Sequence, residues 1–428
     1  TTSKKAVKAT VKILKNGAVP VYSPVRTSIS RPIELYTRYN YYMNEPDAVI
    51  VGNLQLPGAD KLKGLLTVCK VRQNVKLAKN FIVKVPLKGL ADGTHKVKLE
   101  VFDGSKKVLE GDTTLIKKPY LKGATQIDHQ RRCLVVDGKP FLVVAPLASV
   151  HSSLNKRLEV VRDKVALYAS YGFKTLMVVA NPNAEPAIQE FLKAANEKGL
   201  KVIFWISTWR YKGKVTPEEV TKKYTNPAII AWLVIDEPEL YAKSQDVKEF
   251  LSRYRKLLPY HPTFMNNTVM GIPARFADMN TDIMMLDDYL TNRENREVED
   301  LVKQADIMWQ VGKDGRKPCF YFLVGNNMHN HRREPTYAEQ MAQTYGSIAA
   351  HCTGITYFLG LPNYPGNWKA VKQLNKELLG LQNVIFSLEK TSPAMISDSS
   401  IRFLTRKLGN KLYIIAENIA SRDTNTVI

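Results

Sequence analysis

Two pairs of adjacent acids in this 428-residue chain stand directly after apolar runs. Asp236-Glu237 follows Ala231-Trp232-Leu233-Val234-Ile235, and Asp287-Asp288 follows Ile283-Met284-Met285-Leu286. A carboxyl group set at the end of a buried strand, beside apolar walls and another acid, has its pKa pushed up, which is what a general acid needs. Two such groups facing each other can cleave a glycosidic bond, at roughly 5–5.5 Å separation for retention and about 6.5–9.5 Å for inversion. Glu237 is the first candidate for the acid, and Asp287 or Asp288 for its partner. Glu334 is a further candidate carboxyl, although Arg332 and Arg333 beside it offer an ion pair instead. Asp236 and Glu237 have their own structural alternative, capping the helix that follows.

The acids belong to a recurring pattern. From about residue 133 short apolar runs alternate with helical stretches, and eight runs can be counted: 141–145, 175–179, 202–206, 229–235, 263–265, 282–286, 319–324 and 354–358. Runs without polar alternation are what parallel strands covered on both faces require. The helices between them carry their own signals. Thr216-Pro217-Glu218-Glu219 and Thr336-Tyr337-Ala338-Glu339 read as capping boxes, and Gly172 and Gly199 follow apolar helical faces. Eight strand–helix units over about 250 residues predict a (β/α)₈ TIM barrel. The fifth unit is the shortest, with room for only a short helix between Met265 and Asp282. A doubly wound sheet lacks its glycine fingerprint here.

In a barrel the residues just past each strand form the catalytic rim. These include Asn181, Trp209, Asp236, the pair Asn266-Asn267, Tyr289, Asn326, His329, Tyr357 and Trp368. Amides and acids bond sugar hydroxyls, and aromatic faces pack on pyranose rings. Asn181, Trp209, Asp236, Tyr289, Asn326, His329, Tyr357 and Trp368 are therefore expected substrate contacts. His329-Asn330-His331 lacks a third metal ligand nearby, so no metal and no cofactor is expected. Neither a Gly-x-Ser-x-Gly elbow nor a P-loop is present.

Residues from about 133 to 390, within the expected barrel domain 126–390, resemble clan A glycoside hydrolases, which are (β/α)₈ enzymes often flanked by β-sandwich domains. Val135-Val136-Asp137-Gly138-Lys139-Pro140-Phe141 is similar to the lead-in to their first strand. Ala231 to Pro238 is similar to their fourth-strand Asn-Glu-Pro, and Gly354-Ile355-Thr356-Tyr357-Phe358 to their eighth strand. The resemblance implies an acid/base role for Glu237. Two departures stand out: Asp236 replaces the family's asparagine, and strand seven ends in Val324-Gly325-Asn326-Asn327, where the family has its nucleophilic glutamate.

Outside the barrel the chain reads as β structure. Residues 1–125 contain short alternating strands, among them 48–51, 65–68, 81–85 and 96–101, separated by turn signals such as Pro57-Gly58 and Asp103-Gly104, and predict an all-β sandwich. Residues 391–428 read as the start of a C-terminal β-domain that stops within a strand, and Thr1-Thr2-Ser3-Lys4-Lys5 reads as a processed start. The net charge is +22, and residues 1–125 hold 23 Lys/Arg against 9 Asp/Glu. Such a field favours a polyanionic partner such as an acidic polysaccharide. No nucleic-acid recognition motif accompanies it. No apolar stretch approaches the roughly 18 residues of a membrane span. The four cysteines form no CxxC pair. The expectation is a secreted, cell-surface or periplasmic glycoside hydrolase acting on a polysaccharide. The alternative is a non-catalytic glycan-binding or structural surface protein on a glycosidase-like barrel.

Overall fold

The computed structural model describes residues 32–206, 215–268, 281–290, 297–312, 316–326, 333–358, 362–392, 396, 398 and 400–420. Seven strands come first: β1 (Ile33–Thr37), β2 (Asp47–Leu54), β3 (Lys63–Val68), β4 (Val71–Lys76), β5 (Asn80–Pro86), β6 (Gly93–Asp103) and β7 (Lys106–Lys117). They form two antiparallel sheets, ordered β1-β2-β5 and β4-β3-β6-β7. Period-two patterning decides their faces. Phe81, Val83 and Val85 on β5 and Val97, Leu99 and Val101 on β6 are buried between exposed or half-exposed neighbours. Residues of both sheets meet in one apolar cluster.

A third antiparallel sheet, β8 (Thr125–Asp128), β9 (Cys133–Val136) and β10 (Lys139–Phe141), precedes the barrel. Asp137 and Gly138 join β9 to β10 with φ of 51° and 75°, the backbone a two-residue Asp-Gly hairpin turn requires. Ile127, Leu134 and Val136 from this sheet pack into the interior of the barrel at the end where its strands begin.

The barrel is closed by eight strands in sequential order: β11 (Val143–Ala148), β12 (Thr175–Val179), β13 (Lys201–Trp205), β14 (Ile229–Asp236), β15 (Thr263–Thr268), β16 (Met284–Asp287), β17 (Cys319–Val324) and β18 (Gly354–Phe358). All are paired in parallel, β18 closing on β11. The interior is filled by Val143, Ala145, Leu147, Met177, Ile203, Leu233, Phe264, Met285, Phe320 and Phe322, while the alternate residues join the layer beneath the helices. Gly354 on β18 makes room for a ring: a Cβ there would stand 2.3 Å from Phe320 Cδ1.

Among the described residues seven α-helices cover the strands: α1 (Leu158–Ser170), α2 (Glu185–Glu197), α3 (Pro217–Lys223), α4 (Ser244–Leu257), α5 (Val298–Val311), α6 (Tyr337–Ala349) and α7 (Pro365–Ile385). Both expected capping boxes form, Thr216 with Glu219 on α3 and Thr336 with Glu339 on α6. Among the described residues no helix separates β15 from β16, and 269–280 lie outside them. A final hairpin, β19 (Ile401–Leu408) and β20 (Lys411–Asn418), lies on α6 and α7, and its Leu404 and Ile415 join the apolar layer of the barrel. No helix among the described residues is long and apolar enough to cross a membrane.

Candidate active site

The acids after the fourth and sixth barrel strands converge, and a strand irregularity brings them together. Along β14 Ala231 and Leu233 face the interior. The register against β15 then slips between Leu233 and Ile235, so Val234 and Ile235 both join the outer layer and Asp236 faces Asn266 across the pair of strands. A bulge of this kind re-aims the side chains beyond it. Glu237 follows with φ 42° and ψ 49°, left-handed backbone that a non-glycine residue adopts at a cost of about 1–3 kcal/mol. Pro238 then starts a short turn of 3₁₀ helix, and Asp236 is held from behind by the Tyr241 hydroxyl, which donates to its carbonyl oxygen.

Asn266 links the acids. Its Nδ2 donates to Asp236 Oδ1 at 3.0 Å and to Asp287 Oδ2 at 2.9 Å. The Tyr289 hydroxyl donates to the same Asp287 oxygen at 3.3 Å. Glu237 lies close enough to Asp287 for its charge to act on that carboxyl. The Asp287 pKa is raised well above the ordinary aspartate value. Burial is the main cause, the charges of Glu237 and then Asp236 add to it, and the Asn266 hydrogen bond opposes it. The Tyr289 hydroxyl is likewise held neutral by burial and by the same acids. Glu239, whose carboxylate accepts from the Thr268 N–H, is pushed up chiefly by burial.

Aromatic rings wall this cluster. Tyr289 lies 5.2 Å from the Phe358 ring and 6.5 Å from Phe322, and Trp205 packs edge-on to Phe322 at 6.1 Å. Asp287 and Asp288 are both buried and Glu237 is half-buried, so Glu237 is the more exposed of these acids.

Asp236, Glu237, Asp287 and Tyr289 are thus brought together, and Asp288 adjoins them in the chain. Other expected site residues are placed elsewhere. Glu334 caps α7: its carboxylate accepts from the backbone N–H groups of Asn363 (2.6 Å) and Tyr364 (3.1 Å) and from Asn367 Nδ2 (3.3 Å), the environment a helix N-terminus offers an anion. Tyr357 points outward, fully buried, with its hydroxyl 3.4 Å from Thr344 Oγ1 on α6; strand alternation gives the inward place to Phe358. Trp368 packs edge-on to Tyr171, ring centroids 4.5 Å apart, between α7 and the end of α1. Asn181 Oδ1 accepts from the N–H of Asn183 within its own turn, and Asn326 Oδ1 accepts from Asn363 Nδ2. Trp209 and His329 lie outside the described residues. Asn266 was expected on the rim but not among the substrate contacts, and period-two alternation from Phe264 points to it; Phe322 and Phe358 were not among the expected site residues.

The architecture is a closed barrel of eight parallel strands with flanking antiparallel sheets and acids at its C-terminal rim. No protein-family profile and no curated protein matches the chain. Solved structures with a similar fold include a putative glycoside hydrolase from Bacteroides vulgatus (12% identity, 81% of this chain and 78% of that one, TM-score 0.45). A family 39 glycoside hydrolase from Bacteroides cellulosilyticus matches at 11% identity over 88% of both chains, TM-score 0.40. A β-glucuronidase from Bacteroides uniformis matches at 12% identity, TM-score 0.37, over 79% of this chain. The chain spans about half the length of the β-glucuronidases it matches, 55% of one and 46% of another. At such identities the likeness is one of architecture.

Proposed function

We propose that this protein is a glycoside hydrolase whose working carboxyls are Glu237 and Asp287. The observation that carries the reading is the meeting of rim acids from two strands, with Asn266 bridging Asp236 to Asp287 and the charges of Glu237 and Asp236 both acting on Asp287. Burial and the neighbouring acids favour a protonated Asp287 in the free protein. In the reacting complex Glu237 carries the proton and Asp287 is charged. Glu237 then delivers that proton to the glycosidic oxygen as the bond to the anomeric carbon breaks. Asp287 is left as the carboxylate that faces the developing oxocarbenium charge, as nucleophile or as base toward water. A sugar seated between them must part the pair to roughly 5 Å or more. Glu237 is the movable member, because Asn266 and Tyr289 tether Asp287. On this reading residues 126–390 are the catalytic domain, 1–125 a basic β-sandwich module and 391–428 a C-terminal β segment. The substrate is a polysaccharide met outside the cell, and the basic module favours an anionic one.

A second reading has a specific observation behind it. Strand β17 is apolar throughout, Cys319 to Val324, so the barrel has no acid on its seventh strand. That suits a barrel retained for glycan binding alone. Reducing-end release across a panel of polysaccharides, combined with glycan binding, separates the two. Glycosidase action predicts release by the wild type and a loss of about 10²–10⁴-fold in Glu237→Gln with binding kept. Binding without release by the wild type supports the second reading. Unchanged release by Glu237→Gln removes Glu237 from the chemistry.

A further inference from the structure

The opposite end of the barrel holds a buried arginine beside further, half-buried ones. Arg132, at the start of β9, is 5% exposed. Its Nε donates to the Lys317 carbonyl at 2.8 Å, and its Nη2 donates to the Trp309 carbonyl at 2.8 Å and approaches Cys319 Sγ at 3.5 Å. Its guanidinium lies 3.2 Å from the centroid of the Trp309 ring, whose plane also stacks on His351. The carbonyls and the ring are dipoles and a quadrupole. None is a countercharge, and an arginine does not escape burial by losing its proton. Among the described residues no carboxylate pairs with Arg132.

Its surroundings do not balance it. Arg316 is close enough to repel it, and that guanidinium pairs with Glu34 at 2.6 Å while stacking on Tyr36 at 3.6 Å. Arg38 and Arg131 share the single carboxylate of Asp128. Buried charges in folded proteins are ordinarily paired. Here Arg132 and Arg316 line one side of a cavity of about 280 Å³, completed by His129, Gln130, Trp309 and Gln310. His129 Nδ1 is bonded to the Thr37 carbonyl, and burial pushes the ring's pKa down, so the neutral ring presents Nε2 as an acceptor. Both arginines hold left-handed backbone, φ 54° and 48°, the kind of strain that gathers at ligand clamps.

We propose that this cavity binds a small oxyanion, a carboxylate or a phosphate group, between Arg132 and Arg316. Guanidinium forks match the paired oxygens of such groups, and His129 Nε2 suits a protonated oxygen or an adjacent hydroxyl. The site is remote from the acids at the other rim and does not depend on the chain being a glycosidase.

Isothermal titration of the intact chain with inorganic phosphate and, separately, with acetate at constant ionic strength tests it, chloride serving as the control anion. Saturable binding of one of them, weakened roughly tenfold in Arg316→Gln through loss of one charge-assisted contact, supports the site and says which group it prefers. Gln130→Leu, which leaves both arginines and their stacking intact, serves as the second variant and weakens binding as well. Absence of saturable binding by the wild type to either anion overturns the proposal. So does binding that neither variant changes.

Discussion

Replacing Asn266 by alanine tests whether one amide holds the acid cluster together. The side chain gives one hydrogen bond to Asp236 and one to Asp287. A bond to a carboxylate contributes about 1.5–3 kcal/mol and one to a neutral partner about 0.5–1.5 kcal/mol. With Asp287 as the neutral partner and the other bond counted as one to a carboxylate, the two bonds contribute about 2–4.5 kcal/mol. Asn266 Oδ1 is buried without a partner, and removing it returns about 1–3 kcal/mol. The net loss in Asn266→Ala is therefore about 1 kcal/mol while Asp287 keeps its proton. As pH rises and Asp287 loses that proton, both bonds become charge-assisted and the loss grows to about 2.5 kcal/mol. The sign follows from the direction in which Asn266 acts: it favours the charged form of Asp287, so its stabilisation is present at high pH and fades as pH falls. Urea unfolding followed by tryptophan fluorescence measures this within the barrel, because all five tryptophans lie in residues 205–368. A loss that is larger at lower pH than at higher pH refutes the assignment of Asn266 as the clamp of a titrating acid.

Three further outcomes follow from named contacts. Asp287→Asn should gain stability over the wild type as pH rises above about 4, because a folded-state pKa raised by burial makes the folded chain bind more protons than the unfolded one and lose stability on deprotonation; parallel stability–pH curves would contradict it. Glu334→Ala should lower stability by about 1–3 kcal/mol through the lost cap of α7 while leaving the pH profile of any hydrolysis in place; a 10²-fold loss of turnover with unchanged stability would make Glu334 part of the chemistry instead. Gly354→Ala should cost about 1–3 kcal/mol or more by driving a methyl into the Phe320 ring, and an unchanged urea midpoint would mean the interior accommodates it.

Much of the barrel is legible in the residue order because its strands are buried on both faces. The runs 175–179, 319–324 and 354–358 coincide with β12, β17 and β18 to the residue. Strand β16 is less so. The run begins at Asp282, but that carboxylate accepts from the Thr263 N–H and pairs with Arg255, and pairing starts only at Met284 and continues through Asp287. Phase is the harder quantity. Tyr357 and Phe358 are adjacent aromatics, and only the closure of the barrel decides which faces inward. For Glu334, the partners are backbone N–H groups some thirty residues further on, which no local pattern reveals.

The same question of phase bears on the acids. Simple alternation from Leu233 carries Ile235 and Glu237 inward and leaves Asp236 outside. The bulge reverses this for Asp236, and left-handed backbone at Glu237 lets the next residue turn back toward the same neighbour. Two consecutive acids therefore meet Asp287, an arrangement that like-charge repulsion and desolvation both oppose. A chain needing only polar residues at a strand end has no use for it, since an exposed turn with Glu237 in ordinary backbone would be more stable by about 1–3 kcal/mol. Strain and unfavourable electrostatics held at one point, by Asn266, Tyr289 and Tyr241, support reading these carboxyls as a proton-handling pair.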